Sequence, residues 1–399
     1  MDENNRGLSE TLSEQPAAGR TPRLFFIDHL RAALIILVVL HHVAIVYGAG
    51  STFYYMEPPF NDALAYIVLL VFVLCNQAWF MGALFLIAGY FTPGSFDRKG
   101  SGAFLKERLI RLGIPLIIFY FILNPVSSTG YWQMPSYLTG ISDPLTWAAY
   151  PYLLGMGPLW FVALLLIFDF GYAAWRALAR KRTSPSEIKS SQPTYLGIGS
   201  YILALALASY LLRIIVPIGK EIFDFPTLAY LPQYLSLFIV GIVAFRRNWF
   251  ETISGGMGAV GFATAAAATV FLFPLAVSGS LFSLEITGPE DFIFVGNGHW
   301  QSAVYALWDS ITAVGMSLAA LTFFRRFFYK ENRFGAFLSQ QSYAVYIIHT
   351  PIIVFAAVAL KGIDFEPLLK FGVVALIVVP VCFAVAYVIR KIPGVSRVL

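Results

Sequence analysis

The chain has 399 residues, 58% of them hydrophobic and only 12% charged, with a mean hydropathy of +0.72. A soluble domain would be near a quarter charged, so the composition excludes an ordinary soluble fold. It points to an all-α integral membrane protein with about ten transmembrane helices, whose first partner is the lipid bilayer. The formal net charge of +5 is not read as a nucleic-acid signal, because in such a protein the placement of Lys and Arg matters more than their sum.

Residues 1–22, MDENNRGLSETLSEQPAAGRTP, are polar and read as a disordered cytoplasmic tail. They are too long and too acidic for a signal-peptide n-region, and no small-x-small cleavage site follows the first apolar run. That run is expected to stay as an anchor. The remainder, 23–399, reads as one transmembrane domain. Its apolar runs predict helices at about 25–47, 65–91, 109–126, 158–177, 194–216, 230–246, 254–277, 300–324, 339–360 and 367–390. With the N-terminus inside, 23 of the 27 Lys and Arg fall on cytoplasmic segments and helix feet, leaving Arg213, Lys220, Lys361 and Lys370 outside. This asymmetry places both termini in the cytoplasm. Cys75 and Cys382 lie in apolar runs, which supports neither a disulfide framework nor a thiolate metal site, and no metal is expected.

The first helix, IDHLRAALIILVVLHHVAIVYG, is apolar enough to cross a bilayer yet carries Asp28, Arg31, His41 and His42. Ionisable groups at membrane depth are costly, and each is a site candidate by default. Arg31 and His42 are eleven residues apart, three turns plus about 20°, so they share one face roughly 16 Å apart along the axis. Ile35 and Val38 lie between them, Asp28 can pair with Arg31, and His41 points about 100° away. The arrangement suits a tunnel in which an anionic ligand enters from the cytosol and its reactive end reaches His42. Near neutral pH an imidazole can take a hydroxyl proton and return it to a leaving group. A histidine that merely hydrogen-bonds another helix fits the same pattern.

Further along, GYFTPGSFDRKGSGAFLKERLIRLGIP places Arg108 and Arg111 three apart at the start of the third helix. On one face they form neighbouring donors suited to phosphates, although positive-inside anchoring also accounts for such a pair. The segment 127–157 holds Tyr131, Trp132, Tyr137, Trp147, Tyr150 and Tyr152, either a headgroup belt or a stacking platform for sugar rings. GPLWFVALLLIFDFGY opens the fourth helix with Trp160 and buries Asp169. The stretch 180–193 reads as a flexible linker. The outer loop 278–299 carries Glu285, Glu290, Asp291 and His299, and Asp309 stands as a charge partner for Arg213 or a histidine. In SQQSYAVYIIHTPII, Ser342, Tyr346 and His349 share one helix face, with Tyr343 beside them.

These segments together resemble the membrane-bound acyltransferase family 3, and within it the branch of glucan-biosynthesis succinyltransferases. FFIDHLRAALIILVVLHH is similar to the family's helix-one pattern of Arg, ten residues, then His, at Arg31 and His42. ERLIRLGIP is similar to its R-x-x-R motif at Arg108 and Arg111, and PLWFVALLLIF and SYAVYIIHTP to its Trp-Phe and Ser-Tyr-x-x-Tyr segments. The resemblance implies an O-acyltransferase of the cell membrane. It would move an acetyl or succinyl group from cytosolic acyl-CoA to a hydroxyl of an extracytoplasmic carbohydrate. It implies His42 as the catalytic histidine and Arg31, Arg108 and Arg111 as acyl-CoA ligands. Asp28 and His349 complete the candidate catalytic set, Asp28 by orienting Arg31 and His349 by polarising the carbonyl or positioning the acceptor. Trp160, Ser342, Tyr343 and Tyr346 are the candidate substrate contacts. Ala88-Gly89 stands where the family often has Ser-Gly, so any role of that serine is absent. The rival reading is a multi-span solute transporter, which would show pseudo-symmetric halves; no half-repeat is recognisable. A metal-dependent membrane oxidase would need clustered histidines, and five scattered ones do not supply them.

Overall fold

The computed structural model describes residues 23–48, 52–58, 62–179, 192–279 and 292–399. The tail 1–22, nearly all of the linker, and Glu285, Glu290 and Asp291 lie outside the described residues. Among the described residues the chain forms helices and no strands, as lipid requires of a segment whose backbone polar groups must be satisfied internally. The long helices are α1 (Phe25–Val46), α2 (Ala63–Gln77), α3 (Phe80–Arg108), α4 (Trp160–Leu178), α5 (Tyr195–Ile215), α6 (Leu231–Arg246), α7 (Gly255–Ala276), α8 (Trp300–Phe327), α9 (Arg333–Ala359) and α10 (Pro367–Arg390).

Nine helical stretches among the described residues are long and apolar enough to cross a membrane. One of them, Ala63–Gln133, runs for 71 residues; straight, it would be about 107 Å long, more than three bilayer cores. It is not straight. Gly100 adopts φ 75° and ψ 168°, a conformation open to glycine and avoided by other residues, and the chain doubles back there. Thr92 and Arg108 lie on opposite sides of the bend, yet both reach the carboxylate of Asp169. The Phe96 and Phe104 rings meet across it at 5.4 Å. The two arms correspond to the spans expected over 65–91 and 109–126, so this one stretch accounts for two crossings.

The second arm is irregular for a reason written in its prolines. Leu109–Gly113 and Phe119–Leu123 wind as π-helical turns, just ahead of Pro115 and Pro125. A proline has no N–H for the carbonyl four residues back. Tyrosines from elsewhere take both orphaned carbonyls: Tyr343 donates to Arg111 O at 2.6 Å and Tyr150 to Phe121 O at 2.8 Å. Two breaks in the helix thereby become two cross-links.

α1 and α9 pack against each other at the centre of the bundle, and α1 also touches α2, α3, α8 and α10. Two thirds of each central span is buried, whereas α5 and α7 turn most of their surface to lipid. With no hydrophobic drive between helices in lipid, close approach depends on small residues. Gly89 of α3 and Gly241 of α6 show it: a methyl group on the first would overlap the Phe238 carbonyl, and on the second the Leu86 carbonyl. Gly261 and Gly315 join α7 to α8 in the same way. Deep charges are paired. Arg213 donates to Asp309 at 2.5 Å, one of the two kinds of partner the sequence offers that aspartate, and its guanidinium lies over the Tyr230 ring at 4.7 Å. Lys370 pairs with Glu57.

Gly89→Ala is expected to lower stability by about 1–3 kcal/mol through overpacking of α3 on α6. Gly372→Ala, where no atom lies within 4 Å of the added carbon, should leave stability unchanged or raise it. Thermal unfolding in detergent compares the two.

Candidate active site

α1 supplies both ends of the site because its apolar residues are taken up by α9, α8 and α10. That leaves Asp28 and Arg31 near one end and His42 near the other. Arg31 donates to Asp28 Oδ1 at 3.3 Å and to Ser339 Oγ of α9 at 3.4 Å, and its side chain stays 42% exposed. Asp28 also accepts from Arg23 at 2.8 Å. Asp28 therefore braces Arg31, and it stands fourteen residues, about 21 Å, from His42.

His42 Nδ1 lies 2.8 Å from the Val38 carbonyl, one turn back on its own helix. A carbonyl only accepts, so Nδ1 carries the proton and Nε2 keeps a lone pair. His349 on α9 repeats the arrangement, with Nδ1 2.6 Å from the Tyr346 carbonyl. The two rings are 4.9 Å apart. His42 remains partly exposed, whereas His349 is fully buried and its Nε2 has no hydrogen-bond partner. Each imidazole is pinned to its own helix by one nitrogen and turns the other, basic nitrogen away from that helix.

A short non-helical stretch closes the site on the side away from Arg31. Phe53 rests 5.2 Å from the His42 ring, and Tyr54 donates to Asn124 Oδ1. Asn124 in turn donates to the Leu153 carbonyl at 2.7 Å. Burial raises the Tyr54 phenol well above its ordinary range, because the phenolate is disfavoured away from water. Gly157, at φ 44°, lies against Tyr54 and Asn124 where a side chain would collide with both. Glu57 accepts from Tyr55 at 2.6 Å and pairs with Lys370 of α10, which ties the stretch down. None of Phe53, Tyr54 and Asn124 stands out in the sequence. The first two lie outside any periodic segment, and the single signal at the third is the proline that follows it.

At the other end, the two arginines of the R-x-x-R pair differ. Arg108 Nε lies 3.0 Å from Asp169, a carboxylate with no exposed surface whose other oxygen accepts from Thr92 at 3.0 Å. The Arg108 guanidinium also covers the Phe104 ring at 5.0 Å. Arg111 makes a loose 3.7 Å contact with Glu107 and stays 48% exposed, close enough to Arg31 for their charges to interact. Arg31 and Arg111 are thus the open cations, and Arg108 is the braced one.

The expected substrate contacts prove to be well occupied. Ser342 bonds back to the Leu338 carbonyl at 2.7 Å, Tyr343 holds the Arg111 carbonyl, and Tyr346 holds the Pro158 carbonyl at the entry to α4. Tyr346 also stacks on His349 at 5.8 Å, and Trp160 stacks on Tyr234 at 5.3 Å. Of the stripe Ser342, Tyr346 and His349, only His349 leaves a polar atom unpaired. Among the described residues no three His, Cys, Asp or Glu side chains gather as a metal site.

Comparison with known proteins identifies the family. The family described as acyltransferase domain, of the acyltransferase-3 type, matches residues 24–387. Curated relatives include the glucans biosynthesis protein C of Salmonella paratyphi B, of Salmonella schwarzengrund and of Salmonella agona. Each is 25% identical over 246 residues, covering 56% of this chain and 59% of the relative. The chain therefore spans less than two thirds of the length of these relatives. No solved structure matches it.

Asp169→Ala would leave the Arg108 guanidinium without its partner and is expected to cost on the order of 3 kcal/mol. The double variant Asp169→Ala with Arg108→Met should recover much of that loss. Unfolding midpoints of four proteins, the wild type, the two single variants and the double variant, measure it, and additive losses would argue against the pairing.

Proposed function

Since this chain belongs to the acyltransferase-3 family, we propose that it is a cell-membrane O-acyltransferase. It moves an acetyl or succinyl group from acyl-CoA on the cytosolic side to a carbohydrate hydroxyl on the far side. The observation that carries this reading is the axis of α1, with an open guanidinium at Arg31 and the basic nitrogen of His42 roughly 16 Å further along the same face. The concentration of 23 of 27 basic residues on one set of loops and helix feet supports cytoplasmic termini and donor entry from the cytosol.

In this reading the phosphates of coenzyme A meet Arg31 and Arg111, because charge-assisted bonds from guanidinium to phosphate are strong and directional. Asp28 and Ser339 fix the angle of Arg31, and Asp169 holds Arg108 behind the pair. The thioester threads between helices toward His42. As the acceptor oxygen attacks the thioester carbonyl, its proton passes to His42 Nε2. Collapse of the tetrahedral adduct breaks the carbon–sulfur bond, and the imidazolium returns the proton to the departing thiolate. Attack by Nε2 itself uses the same lone pair: the carbon–sulfur bond breaks as the nitrogen–carbon bond forms, and coenzyme A leaves as its thiolate. The acceptor hydroxyl then takes the acyl group from the acyl-imidazole, its proton passing to that thiolate. The Nδ1–H bond to Val38 O serves both routes by holding the tautomer. His349, Trp160, Ser342, Tyr343 and Tyr346 form the wall on the α9 and α4 side, with Phe53 and Tyr54 above.

Purified protein incubated with labelled acetyl-CoA or succinyl-CoA and a crude glycan extract should transfer label to the glycan. His42→Ala is expected to slow transfer by about 10²–10⁴-fold; transfer at the wild-type rate would rule out this mechanism. Arg31→Ala and Arg111→Ala should each raise KM for the acyl-CoA by about tenfold with little change in kcat. Uptake of a solute into vesicles without any acyl donor would favour a transporter instead.

A further inference from the structure

We infer that the acceptor presents two neighbouring hydroxyl groups, and that His349 Nε2 accepts a hydrogen bond from the one that does not react. The inference rests on the acyltransferase reading and deepens it. His349 has no exposed surface, and its Nε2 is a buried acceptor without a partner; other buried polar atoms share that costly state, but this one belongs to the ring that stands against His42. The ring has little freedom to turn away. Nδ1 is bonded to the Tyr346 carbonyl at 2.6 Å, the ring face is stacked on Tyr346, and the Tyr346 hydroxyl is itself held by the Pro158 carbonyl.

A lone pair of this kind can be met only by a donor. The thioester group offers a carbonyl oxygen and a sulfur, which accept, so it does not satisfy Nε2. A hydroxyl does. The ring centres of His349 and His42 stand 4.9 Å apart, close enough for the two imidazoles to take hydroxyls of one and the same acceptor. Adjacent hydroxyls on one sugar ring are spaced to meet two such nitrogens together, and Phe53, 5.2 Å from His42, offers an apolar surface to the C–H face of that ring. His349 is thus a positioning residue that selects a vicinal diol. The other donor near a thioester, the amide N–H of the pantetheine arm, belongs to acyl-CoA and would show itself in the affinity for that substrate.

The test uses the full chain in lipid nanodiscs with labelled acetyl-CoA and the glycan extract, and adds trans-1,2-cyclohexanediol or cyclohexanol as a competitor. The diol should inhibit glycan acylation at a concentration at least about tenfold lower than the mono-alcohol. His349→Leu should raise KM for the glycan by about tenfold or more, leave KM for acetyl-CoA within about twofold, and erase the preference for the diol. His349→Gln, which retains an acceptor oxygen, should keep part of that preference. Equal inhibition by the two alcohols overturns the inference, and this comparison needs only the wild-type protein. So does a rise in KM confined to acetyl-CoA, or a fall in kcat at unchanged acceptor KM. Turnover insensitive to His42→Ala would instead remove the acyl-transfer reading beneath it.

Discussion

Lipid does not solvate a polar group, and nearly every feature of this bundle answers to that constraint. Arg213 is met by Asp309, Arg108 by Asp169 and Lys370 by Glu57. Where a proline withholds an N–H, a tyrosine hydroxyl supplies the missing hydrogen. The pairing of charges is not matched by every neutral group: among the described residues His41 Nδ1, Asn76 Nδ2 and His349 Nε2 are buried polar atoms without a partner. At one end of α1 stand two guanidinium groups with exposed surface, Arg31 and Arg111; at the other lie two imidazoles whose Nε2 atoms are turned from their own helices.

The same constraint explains why a helix with as many ionisable groups as α1 is one of the most buried. A helix carrying Asp28, Arg31, His41 and His42 is stable in the membrane only when its neighbours shield those groups. α9, with Ser339 for Arg31 and His349 beside His42, supplies much of that shielding. Tyr343 and Tyr346 then tie α9 to the second arm of the folded-back helix and to the start of α4. Positions that a sequence reading assigns to substrate contact thus carry structural tension between helices. The two roles meet at Tyr343, whose hydroxyl holds the carbonyl of Arg111, the residue proposed to meet the donor's phosphates.

The chain belongs to the acyltransferase-3 family, and several parts of the candidate site are legible in the amino-acid sequence. The Arg31–His42 register follows from helical geometry alone. The Arg213–Asp309 pair follows from the rule that deep charges need partners. Gly89 is visible as part of a family pattern, but its purpose, the contact with α6, is not. Asp169 is recognisably buried, yet nothing around it in the chain points to Arg108, 61 positions away, because the fold-back at Gly100 decides that meeting. Phe53 and Tyr54 are invisible, since a stretch without periodicity carries no sign of the helix it will cover.

What the sequence determined by itself is therefore everything set by local period and by solvent: the membrane class, the spans, and the face of α1 that joins a cation to an imidazole. These depend only on 1.5 Å per residue, 100° per residue and the cost of charge in lipid. Tertiary structure alone decided which of two nearby arginines is neutralised, which tyrosines serve as ties, and that a second imidazole, from a helix far along the chain, meets the first. Such outcomes depend on which helices touch. In a bilayer that is settled by glycine contacts and paired polar groups across the whole chain rather than by any segment's own pattern.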